Sequence, residues 1–166
     1  MPRTKLHPIA LLTALGGALA LAVAYGSQTW AGLVPCALCL VERWPYRIVI
    51  GLGLVAAFVP HRATRVLLWF AVLTLLAGVA LAGVHVGVEQ GLWPSPLPEC
   101  AAPHISGATI SQMLATMPAR PSKPCDAPTY LIPGLPLSMA AMDLIYALAF
   151  AIILAAALLK RRGMYS

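Results

Sequence analysis

Residues 8–26 (PIALLTALGGALALAVAYG) and 66–88 (VLLWFAVLTLLAGVALAGVHVGV) contain no Asp, Glu, Lys or Arg. At about 1.5 Å of rise per residue, each can cross the roughly 30 Å hydrocarbon core of a bilayer as a helix. In lipid such a segment has little choice but helix, because every backbone polar group must be bonded internally. Residues 144–159 are shorter and reach spanning length if the helix starts near Ser138, with Asp143 close to the interface. Residues 48–60 are too short alone and must be extended back to about Trp44. That start puts Arg47 in the first turn and Arg43 at its mouth, from where such side chains snorkel to the headgroups. A composition 60% hydrophobic and only 10% charged fits lipid rather than water. The expected fold is an all-α membrane protein: a four-transmembrane-helix bundle, one integral membrane domain over residues 1–166. Its helices are placed at about 8–26, 44–60, 66–88 and 138–159, with outer loops at about 27–43 and 89–137.

Lysine and arginine set the orientation. Alternating helices put both termini and the 60–65 turn on one side. That side collects Arg3, Lys5, Arg62, Arg65, Lys160, Arg161 and Arg162, and no acidic residue. All five acidic residues and the other four basic ones fall on the opposite side. The first side is therefore cytoplasmic, and the net charge of +6 is membrane anchoring rather than a nucleic-acid footprint. Met1–Ala24 also has the basic start and apolar stretch of a signal peptide. Its apolar part is longer than such sequences usually carry, and no soluble domain follows, so it is read as a retained first helix.

This topology places every cysteine on the outer, oxidising side: Cys36 and Cys39 in the first outer loop, Cys100 and Cys125 in the second. Four cysteines allow three pairings, and spacing does not choose among them. The second loop holds ten of the fifteen prolines, which forbid regular structure over most of it. One stretch escapes. Thr109 and Gln112 form a capping-box pattern, and Ile110, Met113, Leu114 and Met117 recur at helical spacing before Pro118. A short amphipathic helix lying on the membrane surface is expected there. A long loop with a cysteine near each end suits a moving redox carrier as well as a staple.

The stretch PCALCLVERWPYR, residues 35–47, carries the chemistry. Cys36 and Cys39 could form half of a zinc site completed by Cys100, His104 or Cys125, but no second tight pair exists. A c-type haem is excluded by Leu40 where a histidine is needed, and a thioredoxin motif lacks its βαβ setting. The redox reading gains from Arg43, one helical turn beyond Cys39, whose guanidinium would stabilise a thiolate or a reduced acceptor. Pro45 argues for a helix that starts there rather than earlier. Arg47 is read as an interfacial anchor. Gly51-Leu52-Gly53-Leu54-Val55-Ala56 mimics a dinucleotide fingerprint but follows no strand. With Gly78-x-x-x-Ala82 and Gly83-x-x-x-Gly87 also read as close helix packing, no nucleotide site remains. The acceptor should then be small, lipid-soluble and able to take two electrons, which a membrane quinone satisfies. His85 and Glu89, four apart near the outer end of the third helix, are candidates to face it. Asp143 is read as a favourable charge at a helix N-terminus.

Taken together, Cys36-Ala37-Leu38-Cys39 with Glu42-Arg43, Trp93-Pro94-Ser95-Pro96 leading to Cys100, Cys125-Asp126, and Gly134-Leu135 through Leu137-Ser138-Met139-Ala140 resemble the DsbB family of disulfide-forming membrane oxidases. The likeness covers nearly the whole chain. It implies a protein-disulfide:quinone oxidoreductase of the bacterial inner membrane, with the cysteine loops periplasmic. Cys100 would exchange with a soluble DsbA-like thiol oxidase, and Cys125 would resolve the mixed disulfide. A Cys36–Cys125 bridge would then free Cys39 to react with ubiquinone or menaquinone beside Arg43, with His85 and Glu89 in the quinone region. A DsbA-like partner sits at about −120 mV, so only a strongly oxidising acceptor could drain it, and fast exchange favours an exposed or strained loop disulfide over a buried staple. No metal is part of that scheme. The rival of a different class is a non-catalytic membrane protein that binds zinc or copper through its outer-face cysteines.

Overall fold

The computed structural model describes residues 6–100, 109–115, 123–132 and 134–162. The described residues are all-helical: α1 (Leu6–Thr29), α2 (Ala37–Phe58), α3 (His61–Glu89), a single 3-10 turn (Pro98–Cys100), α4 (Ile110–Ala115) and α5 (Met139–Arg162). The only β pairing among them is an isolated bridge between Cys36 and Lys123. Three helices are long and apolar enough to cross a membrane: Leu6–Thr29, His61–Glu89 and Met139–Lys160. The fourth expected span, α2, carries Glu42, Arg43 and Arg47 in its first half and falls short on composition.

The helices pack in the order α1, α2, α3, α5 around a core that includes Ala10, Val49, Ala56, Leu68, Leu75, Ala151 and Leu158. Leu12, Leu15, Phe58, Leu73, Ile152 and Ile153 point outward and stay exposed, the pattern of helices with apolar surroundings on both faces. Small residues bring the backbones together. A Cβ on Gly53 would stand 2.8 Å from the Ala10 carbonyl and 2.7 Å from the Ala14 nitrogen, so the nucleotide-like GLGLVA stretch is a helix-packing seam. Gly78 similarly faces Pro45. Gly83 has nothing within 4 Å, and Gly87 makes room for the Trp93 ring, so that pair packs no helix as the sequence suggested.

The start of α2 differs from expectation for a physical reason. α2 starts at Ala37 rather than near Trp44, because Cys36 supplies the N-cap: its sulfur accepts the Cys39 backbone N–H at 3.3 Å. Pro45 then lies inside the helix. An interior proline costs about 3 kcal/mol in an isolated helix. Here it is buried on α3 at Gly78, where packing offsets that cost. The first outer loop therefore shrinks, and the CxxC pair becomes the first turn of a helix. α5 has no acid in its first turn, so Asp143 is not a helix-terminal charge. In α4, Thr109 Oγ1 accepts the Gln112 N–H as the capping pattern required. Met117, His104 and the side chains of Met113 and Leu114 lie outside the described residues.

Gly53→Val should destabilise the bundle by roughly 1–3 kcal/mol, as overpacking does in a tight core. Gly83→Ala should cost nothing. Thermal unfolding of the two variants in the same detergent distinguishes them.

Candidate functional site

The outer end of the bundle gathers all four cysteines. Cys36, Leu38, Val88, Cys100 and Cys125 form one buried cluster, with Cys39 packed against it. Cys100 and Cys125 are joined in a disulfide that closes a 25-residue separation. The 3-10 turn positions Cys100, and the Cys125 N–H donates to the Cys100 carbonyl at 3.2 Å. Lys123, two residues before Cys125, pairs with Cys36 through the isolated bridge, and its ammonium donates to the Pro128 carbonyl and to Thr129 Oγ1. The bridge and the disulfide together bring the second outer loop to the start of α2. Both loop cysteines are buried, at 4% and 1% exposure, so the exposed alternative of the expectation for fast exchange does not hold.

Cys36 and Cys39 are free thiols with their sulfurs 2.9 Å apart, within hydrogen-bond distance. A disulfide would need about 0.9 Å less. Cys36 is also 3.4 Å from Nε2 of His85, whose Nδ1 lies 2.9 Å from Oε1 of Glu42. His85 and Glu42 are both buried, so the three groups form a chain from carboxylate to ring to sulfur. The side-chain hydrogen bond with Cys39, more than any other contact, holds the Cys36 thiol below the ordinary thiol range. The backbone donors at the start of α2 act in the same direction.

Cys39 faces a different space. It lines a cleft between α1, the start of α2 and α5, with Gln28, Glu42, Arg43, Tyr46 and Asp143 among the walls. The enclosed part of the cleft is small, about 70 Å³. Arg43 is buried, with its guanidinium 4.8 Å over the Tyr25 ring and its terminal nitrogens donating to the amide oxygen of Gln28. Its Nε is the one buried side-chain polar atom without a hydrogen-bond partner among the described residues. Tyr46 donates to Asp143 at 2.7 Å on the far wall. A second, almost wholly apolar cavity shares Ala20, Ala24, Met139 and Asp143 with the cleft and continues along Leu19, Val23 and Tyr146. Below it α1 and α5 meet at Gly16, where Tyr146 donates to the carbonyl and Phe150 packs.

Of the residues singled out from sequence, Cys36, Cys39 and His85 come together, and Arg43 joins Cys39 at the cleft. Arg47 turns away, exposed, to donate to the Tyr25 hydroxyl and stack on Trp44. Glu89 is not the partner of His85. It accepts from Ser138 at the start of α5, and neither it nor His85 lines the cleft. Sequence reasoning missed the roles of Glu42, Gln28, Tyr46 and Asp143. Glu42 had a visible signal, three residues beyond Cys39 on a helix that starts earlier than expected.

Residues 6–157 match the family described as Disulfide bond formation protein DsbB. A Disulfide bond formation protein B from Herminiimonas arsenicoxydans is 33% identical over 50% of this chain and 52% of its own length. The chain thus spans about half of that relative. A second protein of the same name, from Azoarcus sp. (strain BH72), is 29% identical over 75% of this chain and 70% of its own. The uncharacterized protein RP370 of Rickettsia prowazekii is 27% identical over 70% of this chain and 68% of its own. No solved structure matches the chain.

The side chain of Cys36 is both cap and thiol. Cys36→Ala should therefore lower stability by about 1 kcal/mol, whereas Cys36→Ser, a good N-cap, should keep it. Chemical denaturation of the reduced proteins reads the difference.

Proposed function

The chain belongs to the DsbB family of disulfide bond formation proteins, and from that premise we propose that it generates disulfides in the bacterial periplasm by passing electrons from a DsbA-like thiol protein to membrane quinone. The observation that carries the proposal is the division of labour at the start of α2: Cys36 faces the Cys100–Cys125 disulfide while Cys39 opens on the cleft with Arg43. The bundle spans the inner membrane four times as a single domain. α2 is the fourth span, with Trp44 and Arg47 at headgroup level and its charge-free half, Ile48–Phe58, in hydrocarbon. Both termini are cytoplasmic, the cysteines periplasmic, and α4 rests on the membrane surface.

The electron path is an exchange of bonds. The partner's dithiol attacks the Cys100–Cys125 disulfide, leaving as a disulfide and depositing two electrons and two protons on the loop pair. The loop thiols reduce an oxidised inner pair in turn, re-forming Cys100–Cys125 and leaving Cys36 and Cys39 as thiols. The Glu42–His85 pair stands where it can take the Cys36 proton as the inner disulfide re-forms.

A quinone fits the cleft on the chemistry of its walls. The unpartnered Nε of Arg43 is a buried donor suited to a carbonyl oxygen, Cys39 is the adjacent reductant, and the apolar cavity along α1 and α5 suits a polyprenyl tail. When bound, ubiquinone or menaquinone would supply the two-electron, two-proton sink. Arg43 would hold the acceptor's oxygen, Tyr25 and Gln28 hold Arg43, and the Tyr46–Asp143 pair closes the opposite wall.

Purified protein given reduced DsbA-like protein and quinone should turn over, and Cys39→Ser should be inactive. Arg43→Lys loses the stacked, forked geometry and should cut kcat/KM for quinone by about ten-fold or more while leaving exchange with the partner intact. Full turnover in Cys39→Ser would refute the path.

A further inference from the structure

The geometry points to a second property of the inner dithiol: when reduced, Cys36, Cys39 and His85 form a binding site for zinc, a metal trap open only in the electron-loaded state. Three donors from two helices converge there, Sγ of Cys36, Sγ of Cys39 and a ring nitrogen of His85, all within 4.8 Å of one another. Zinc takes sulfur at about 2.3 Å and imidazole at about 2.0 Å in a tetrahedral set, which spaces its donors by roughly 3.5–3.8 Å. Nε2 of His85 already stands 3.4 Å from Cys36, and the two sulfurs would part from 2.9 Å. Cys39 is only half-buried and borders the cleft, so its sulfur has somewhere to go.

A second observation is independent of the sulfurs. The Nδ1 of His85 is engaged by the Glu42 carboxylate, which leaves Nε2 for the metal. That is the outer-shell arrangement which fixes the tautomer and orientation of zinc-bound histidines. The charges also balance. Zinc displaces one proton from each thiol, and the two thiolates neutralise the ion in a buried site where an uncompensated charge would be costly. No electron moves. The donors are sulfur and imidazole, which favours zinc over magnesium or calcium. Binding ends when the thiols are oxidised, because a disulfide offers no thiolate. Zinc would therefore occupy the dithiol after it has received electrons and block their onward transfer. This differs from the zinc site weighed from sequence, which drew on Cys100, His104 or Cys125, since Cys100 and Cys125 are committed to each other.

The test uses the full-length Cys100→Ser/Cys125→Ser protein in detergent, so that only the inner pair can bind. Reduced, freed of reductant under anaerobic conditions and titrated with zinc, it should take up one ion per chain and have Cys36 and Cys39 protected from alkylation. Cobalt in place of zinc should give a thiolate-to-metal charge-transfer band. The oxidised form should show neither. Glu42→Gln should weaken zinc binding roughly 10–100-fold. His85→Ala should weaken it at least as much, and His85→Gln serves if the alanine variant does not fold. Absence of zinc uptake by the reduced protein, equal uptake by the oxidised protein, or affinity indifferent to both His85 and Glu42 would overturn the assignment. All readouts are of binding, so they stand or fall separately from quinone turnover.

Discussion

The sulfur of Cys36, held at the N-cap of α2, is the contact on which the outer end of the bundle depends. It accepts the Cys39 N–H and so starts the helix, lies beside the Cys39 sulfur, and reaches His85 on α3. Its backbone pairs with Lys123, which brings the loop disulfide alongside. Starting α2 at this residue puts Cys39, Glu42, Arg43 and Tyr46 at helical spacing along the cleft wall. A helix beginning at Trp44 would have left the thiols and the arginine on separate segments with no fixed relation.

The other shaping constraint is the uneven contact between α1 and α5. They touch at Gly16 and separate toward their outer ends, where the cleft and its apolar extension lie. The core seals the lower bundle with small and branched side chains, while the polar groups gather above it in bonded sets: Glu42 with His85, Arg43 with Gln28 and Tyr25, Tyr46 with Asp143. Each set removes a buried polar group from the cost of burial without a partner. The exception is Arg43 Nε, and an unsatisfied donor at a cleft wall is where a ligand oxygen is best placed.

Much of this was legible in the sequence. Charge-free runs located the three apolar helices because hydropathy is a sum over many residues and survives local error. The CxxC pair and Arg43 stood out by residue type and spacing, although the helix that joins them was expected to begin only near Trp44. Pro45 misled, since local propensity argues against a helix through it, and only the contact with Gly78 shows why one is tolerated. The pairing of His85 with Glu42 rather than Glu89 crosses from α3 to α2 and has no sequence-local signal. Asp143 was read as a terminal charge for want of the Tyr46 hydroxyl that bonds it.

The central claim is that electrons leave the loop pair and settle on the inner pair. Fully oxidised protein, stripped of quinone, is mixed with one equivalent of reduced DsbA-like protein, quenched in acid and alkylated, and its cysteines are mapped by peptide mass. Cys36 and Cys39 should carry the label while Cys100–Cys125 is again a disulfide. Label on Cys100 and Cys125, with Cys36–Cys39 still bonded, would contradict that claim.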